Sequence, residues 1–437
     1  MKIAYFTPVS PQKTGIADYS EKEVLPHIKD YMDIDIFIDR NVSPTNSFTL
    51  ENFNVYNFNE YKKNIGTYDT AIYHMGNNGF HKFIYDSLIK YPGITVLHDI
   101  YLHMFLGHFT LLKGDGDRYI EEFKYCYGDF GAEIAKKAIT GDIWVNIKEF
   151  DFKYPLVKRI ADSSLGVVCH SDYGLKRVLG ECDPAIVKKI NQPITISNKC
   201  CNNQHSELKK IKIRLKLAKK WPIITSFGFI SPHKRYDVIL RSFKNFVRVY
   251  PGAVLLLVGQ DSMGITRLIS DLNLKESVVI TGYADYNDVL DYLAISDFCV
   301  NLRYPTAGET SRSVLELMAA EKPVIVSNVG WFSEIPDNCC LKVDVDSYEE
   351  DILLEYMNLL ASDEGVRNLI GKNAKEYVVT EHDPKKIARD FYIFIKKILD
   401  GGEYTLNEVS KVLADMGVKD DDTEIIRHVS TQICNLI

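Results

Sequence analysis

Short apolar runs bounded by turn residues alternate with helical spacing along most of the chain. Residues 3–7, 34–38, 70–73, 94–97 and 165–169 read as strands, and most segments after them carry apolar residues three and four apart. The pattern then restarts, with strands at 223–227, 254–258, 278–281, 298–302 and 323–327. Between them, Ile239, Phe243, Phe246, Val247 and Tyr250 share one face of a helix. Such alternation predicts α/β architecture, with parallel sheets covered by helices on both faces. Two series predict two doubly wound domains, not one sheet.

The polar stretch over residues 198–206 is the expected boundary, giving domains at 1–200 and 206–383. Gly401-Gly402 is expected to set off a tail, 401–437. In it Leu406, Val409, Val412, Leu413 and Met416 form one helical stripe, and Ile425, Ile426, Val429 and Ile433 another. Two such stripes fit docking on their own domain or a contact with a partner.

The 437 residues are 46% hydrophobic and 25% charged, which excludes a disordered chain. No apolar run approaches the ~18 residues of a bilayer span. The formal charge of −7 argues against a protein that wraps nucleic acid. The N-terminus enters a strand at once and lacks the pattern of a secretory signal. Nine scattered cysteines, none in CxxC spacing, fit reduced thiols in a cytoplasmic protein.

In two-domain proteins of this class, ligands bind where strand C-termini face a shared cleft. The richest such stretch runs from Leu302 to Ala319. A strand ends, a loop follows, and a helix begins at Thr310-Ser311. Small polar residues there leave outward amides at the positive helix end, a ready phosphate site. Glu316, deeper in the helix, is near enough to accept hydrogen bonds from a ribose. An ordinary capped helix, with Glu309 and Glu316 in solvent, fits the same residues.

A second strand-to-helix loop runs from Ser226 to Asp237 and contains Gly228, Lys234 and Arg235. Two adjacent cations can neutralise a diphosphate, above all one leaving with growing charge. They can equally be solvated residues before a helix cap.

With the two-domain pattern, these stretches resemble the retaining nucleotide-sugar glycosyltransferases of the GT-B fold, family four. Residues 227–235 resemble that family's diphosphate loop, and residues 308–330 its paired-glutamate region and following strand. The family's two glutamates are separated by seven residues. Here seven residues separate Glu316 from Gly308, so Glu309 is displaced by one position. Residues 14–19 and Leu97-His98-Asp99 extend the similarity to roughly residues 1–400.

The resemblance implies two Rossmann-like domains facing a central cleft, the first on the acceptor side and the second binding the nucleotide sugar. It implies a helix at 384–400 packed back on the first domain. Catalytic roles fall to His98, Glu309, Lys234 and Arg235. Donor contacts fall to Gly15, Gly228, Lys234, Arg235, Thr310, Ser311 and Glu316. Acceptor-side candidates are Asp18, Asn77, Asn78 and Asp99, the two asparagines from strand-end placement. The donor would be a nucleoside diphosphate sugar, the reaction hexosyl transfer with retention, and the acceptor a glycan or a lipid-linked glycan in surface polysaccharide or glycolipid assembly.

No cofactor or metal is expected. Asp33/Asp35, Asp115/Asp117 and Asp344/Asp346 have the spacing of a metal-binding acid pair but lie outside the phosphate loops, where Lys234 and Arg235 supply charge. The lysine-rich residues 209–220 read as a solvated helix, compatible also with attachment to an anionic inner membrane surface. The oligomeric state is left open. Rival readings are a nucleotide-sugar epimerase on the same fold and an inactive sugar-nucleotide-binding scaffold.

Overall fold

The computed structural model describes residues 1–141, 152–182, 186–196, 205–415 and 417–418. The chain forms two compact units. The first comprises Met1–Pro193 with the segment from Pro384 onward, and the second Ile194–Asp383. The crossing falls at Pro193, ahead of the polar stretch where sequence puts the boundary; residues 198–204 of that stretch lie outside the described residues. Ile194 N–H donates to the carbonyl of His382 (3.0 Å), tying the outgoing and returning chain together inside the second unit.

The first unit has seven parallel strands: β1 (Lys2–Phe6), β2 (Asp33–Ile38), β3 (Asn54–Asn57), β4 (Thr70–Met75), β5 (Gly93–Leu97), β6 (Ser164–Cys169) and β7 (Val187–Lys189). Their order is β3-β2-β1-β4-β5-β6-β7. Side chains of one strand feed two cores: Leu97 packs on one face of the sheet, Ile94 and Val96 on the other. The order reverses between β1 and β4, the kind of switch point at whose C-terminal strand ends parallel sheets bind ligands.

The second unit has six parallel strands: β8 (Ile223–Phe227), β9 (Val254–Val258), β10 (Val278–Gly282), β11 (Phe298–Asn301), β12 (Val324–Ser327) and β13 (Leu341–Val343). They run β10-β9-β8-β11-β12-β13, reversing between β8 and β11. In β9, Val254, Leu256 and Val258 enter one core and Leu255 and Leu257 the other. The helix Tyr236–Val249 buries Ile239, Phe243 and Phe246 against the second of these. Each such side chain contributes about 1.5–3 kcal/mol of burial free energy. The basic segment begins as the helix His205–Arg214, held by Ile211 and Leu217 in the core and by an Arg214–Asp291 ion pair (3.1 Å).

A helix from Pro384 to Asp415 returns to the first unit. Ile387, Ala388, Phe391, Phe394, Ile395 and Ile398 enter its core beside β1 and β6 residues. A Cβ on Gly166 of β6 would lie 2.4 Å from Ile398 Cδ1, so a larger residue there would push the Ile398 side chain aside. Contrary to expectation, this helix runs through Gly401-Gly402 without a break. Two glycines cost about 2 kcal/mol relative to alanine in a helix interior. The second apolar stripe, from Ile425 to Ile433, lies outside the described residues, as does Met416.

Candidate functional site

The reversal in the second sheet brings two loops together, one after β8 and one after β11. Tyr304 N–H donates to the carbonyl of His233 (2.8 Å) and ties them. Lys234, 5% exposed, turns inward, and its Nζ donates to the Phe227 carbonyl at the end of β8 (2.7 Å). Asn301, last residue of β11, donates from Nδ2 to the same carbonyl (3.4 Å) and to Ser313 Oγ (3.2 Å). Ser313 Oγ in turn meets Ser311 Oγ (3.1 Å), and Ser311 caps the helix Arg312–Ala319 by accepting from Val314 N–H. One continuous chain of hydrogen bonds therefore joins the lysine to the first turn of that helix.

Burial pushes the Lys234 amine well below its ordinary value; the charge of Arg303 adds to this and Glu309 opposes it. A buried ammonium without a paired anion is costly, so Lys234 gives up its proton more readily here than in water. Arg303 lies two residues beyond β11 and is buried, with its backbone N–H on Ser327 Oγ (2.9 Å). Its Nε lies 3.3 Å from Glu309 Oε1, while Thr306 Oγ1 donates to Glu309 Oε2 (2.9 Å). Lys234, Arg303 and Glu309 form one electrostatic group.

Sequence reasoning placed Lys234, Gly228, Thr310, Ser311 and Glu309 on these two loops, and the structure brings them to the same end of the sheet. Glu316, one turn into the helix, accepts from Arg312 Nε (3.0 Å). Arg235 departs from its expected place beside Lys234. It adopts a left-handed backbone (φ +54°), and its guanidinium grips the buried carboxylate of Glu349 through two contacts, Nε–Oε1 at 3.0 Å and Nη2–Oε2. Reversing φ between consecutive residues turns their side chains apart, and Arg235 becomes a structural cation. Arg303, to which the sequence reading assigned no role, is a further cation near enough to act on Lys234. The signal was its place, just beyond a strand C-terminus.

In the first unit the strand ends carry imidazoles. His74 Nδ1 lies 3.1 Å from His98 Nε2, and the two rings lie 5.4 Å apart between centroids. Tyr19 meets His98 edge-on (4.5 Å), and His170 follows at 5.0 Å. His81 Nδ1 donates to the His74 carbonyl (2.9 Å). Burial holds His74 and His98 well below the usual histidine range, with His170 adding to the effect, and lowers His81 to about 4. Among the described residues, no group of three or more His, Cys, Asp or Glu is arranged to hold a metal ion. The cluster is a set of neutral rings behind His98, which is partly exposed.

The acceptor-side candidates are largely taken up by the fold. Asn77 Oδ1 accepts from Phe105 N–H and Asn77 N–H donates to Asp99 Oδ2, both at 2.8 Å. Asn78 Oδ1 accepts from Phe80 N–H (3.0 Å) at a helix start. Asp18 pairs on the surface with Lys22 (2.6 Å). Gly15 opens the helix Gly15–Asp18, with open space where a Cβ would project. His74, near the end of β4, opens the stretch 74–78 that sequence offers as an acceptor contact; His170, just after β6, and Tyr19 carry no separate site role from sequence.

Residues 208–377 match the family model described as glycosyl transferases group 1, which covers most of the second unit. No curated protein matches the chain. Anabaena HepE, solved in complex with UDP, is similar in fold at a TM-score of 0.63 and 16% identity, over 91% of this chain and 100% of that one. Sucrose-phosphate synthase from Thermosynechococcus elongatus matches at 0.62 and 16%, over 92% and 100%. WaaG, a glycosyltransferase involved in lipopolysaccharide biosynthesis, matches at 0.60 and 13%, over 90% and 99%. At such identities the likeness is one of fold. The two parallel sheets with their returning C-terminal helix have the GT-B fold. No helix among the described residues is long and apolar enough to cross a membrane.

Proposed function

We propose that the protein is a retaining glycosyltransferase that moves a hexosyl group from a nucleoside diphosphate sugar to a hydroxyl of a glycan or lipid-linked acceptor. The observation that carries this reading is the hydrogen-bond chain from Lys234 through Phe227 and Asn301 to the capped helix start at Ser311. It sets a buried amine and a helix N-terminus at one end of the sheet, where a diphosphate meets both a cation and the positive end of the helix dipole. The group 1 family match over residues 208–377 supports the same reading.

In this mechanism the anomeric carbon–oxygen bond breaks with its electron pair going to the diphosphate. The acceptor hydroxyl oxygen bonds to the same face of that carbon, and its proton passes to the departing phosphate oxygen. Lys234, protonated once the diphosphate faces it, and Arg303 stabilise the charge that develops; the helix amides add to them. Glu309 holds Arg303 and faces the sugar; Glu316 accepts from the ribose. In the first unit, His98 meets an oxygen of the sugar. The reading extends to surface polysaccharide or glycolipid assembly, with the lysine-rich segment at 209–220 as a contact for anionic lipid.

UDP-sugars are the first donors to try, since HepE is solved with UDP and with UDP-glucose. The test is a calorimetric screen of nucleoside diphosphates and their sugars, followed by transfer assays. Binding of one base series, with transfer slowed ~10²–10³-fold by Lys234→Ala, is the expected result. The reading is overturned if none binds, or if Lys234→Ala binds and reacts like the parent protein. Epimerisation of the donor alone would favour the isomerase alternative.

A further inference from the structure

The contact between His74 and His98 has a direction that its surroundings decide. Burial keeps both rings neutral near pH 7, so each carries one N–H. One of the two facing nitrogens, His74 Nδ1 or His98 Nε2, must donate across the 3.1 Å contact. His74 is 1% exposed, and its other nitrogen, Nε2, is buried with no hydrogen-bond partner among the described residues. A proton on Nε2 would therefore be an orphaned donor in the core, whereas a bare ring nitrogen there is an unsatisfied acceptor, the milder defect. The proton belongs on Nδ1, aimed at His98.

We propose that His74 is a positioning residue: its Nδ1–H donates to His98 Nε2 and fixes His98 in the Nδ1–H tautomer, so that His98 offers a ligand a hydrogen-bond donor and not a base. The proposal deepens the glycosyltransferase reading, on which it rests for what His98 meets, an oxygen of the sugar. The ionisable groups that bear on His98 are His170, His74 and His81, all of them imidazoles. His170 and Tyr19 close two further sides of the ring, at 5.0 and 4.5 Å between centroids. The His98 backbone N–H is fixed on the Met75 carbonyl (2.9 Å), so the ring's base cannot drift along the strand end. With Nε2 closed by His74, His98 has no nitrogen left to take the acceptor's proton. That proton must go elsewhere, as it does when the leaving phosphate oxygen receives it.

The test is nitrogen NMR of the full chain labelled with ¹⁵N-histidine, recorded without substrate from pH 6.5 to 8, with His98 assigned by its loss in His98→Gln. The expected spectrum shows His98 protonated on Nδ1 throughout. His74→Asn, whose amide can put an N–H near the same point, should keep that tautomer; His74→Phe, which fills the space without a donor, should release it to a mixture. A His98 proton on Nε2 in the parent protein overturns the proposal, even if no variant at position 74 folds. A folded His74→Phe with His98 still on Nδ1 overturns it too. Because no substrate is present, failure to find sugar transfer counts against the proposed function and leaves the tautomer result standing.

Discussion

Gly228 makes room for Lys234: a Cβ at Gly228 would lie 2.3 Å from the lysine's Nζ, and its backbone holds φ at +107°. The glycine that ends the strand thus permits both the turn and the inward lysine. Gly228→Ala should cost about 1–3 kcal/mol of stability through backbone strain and should displace the amine from the Phe227 carbonyl. Denaturant melts and nucleotide titrations check both; unchanged affinity would mean the inward position of Lys234 is not needed.

Nucleotide binding should take up a proton. Burial and Arg303 lower the Lys234 amine; an arriving diphosphate acts in the opposite sense and raises it. The bound form then holds the proton more tightly, so affinity falls as pH rises between the two values. Calorimetry in two buffers of different ionisation enthalpy reads the uptake, and Lys234→Ala should abolish it.

Glu316→Ala should weaken binding of nucleoside diphosphates about tenfold, the value of one charged hydrogen bond to a ribose. Binding of inorganic pyrophosphate, which has no ribose, should stay unchanged. Equal losses for both ligands would point instead to the Arg312–Glu316 pair as a support of the helix start.

Arg235→Ala should act on stability more than on catalysis. The Glu349 side chain is 3% exposed and would be left as a buried charge without its ion-pair partner. Such losses cost about 3–5 kcal/mol. The double variant Arg235→Ala, Glu349→Leu should recover most of this, with nucleotide affinity near that of the parent. A selective loss of affinity in a stable single variant would return Arg235 to the site.

Stability should fall on mild acidification. His74, His98 and His81 take protons in the unfolded chain near pH 6.5, but in the folded state His81 does so only near 4 and the other two well below 6.5. The unfolded state therefore binds more protons across this window, and stability drops as pH goes from 6.5 towards 4. Each histidine contributes up to about 1.4 kcal/mol per pH unit once fully protonated in the unfolded chain. Melting curves at constant ionic strength check the slope; a flat profile from pH 6.5 to 5 would contradict the burial of the cluster.

The central strands were legible because a parallel sheet buries both faces and leaves a continuous apolar run, as in β9. The three strands not anticipated, β3, β7 and β13, lie at sheet edges, where one side has no partner and polar residues such as Asn54 and Lys188 are tolerated. At the candidate site, residues near strand ends could be listed from order alone, but partnerships could not. Arg235 and Lys234 are adjacent in sequence, yet the carboxylate that claims Arg235 lies 114 residues away. Likewise the Arg303–Glu309 pair depends on the path of the loop, and the facing of His74 and His98 on the pairing of β4 with β5.

The returning helix sets an order of events during synthesis. The first unit lacks Phe391, Phe394 and Ile398 until the ribosome has made the 190 residues of Ile194–Asp383. At about 5–20 residues per second that is roughly 10–40 s in which an oily flank of the nascent sheet is bare. The intervening unit is continuous and can close by itself in that time, so the portion translated first is the one completed last.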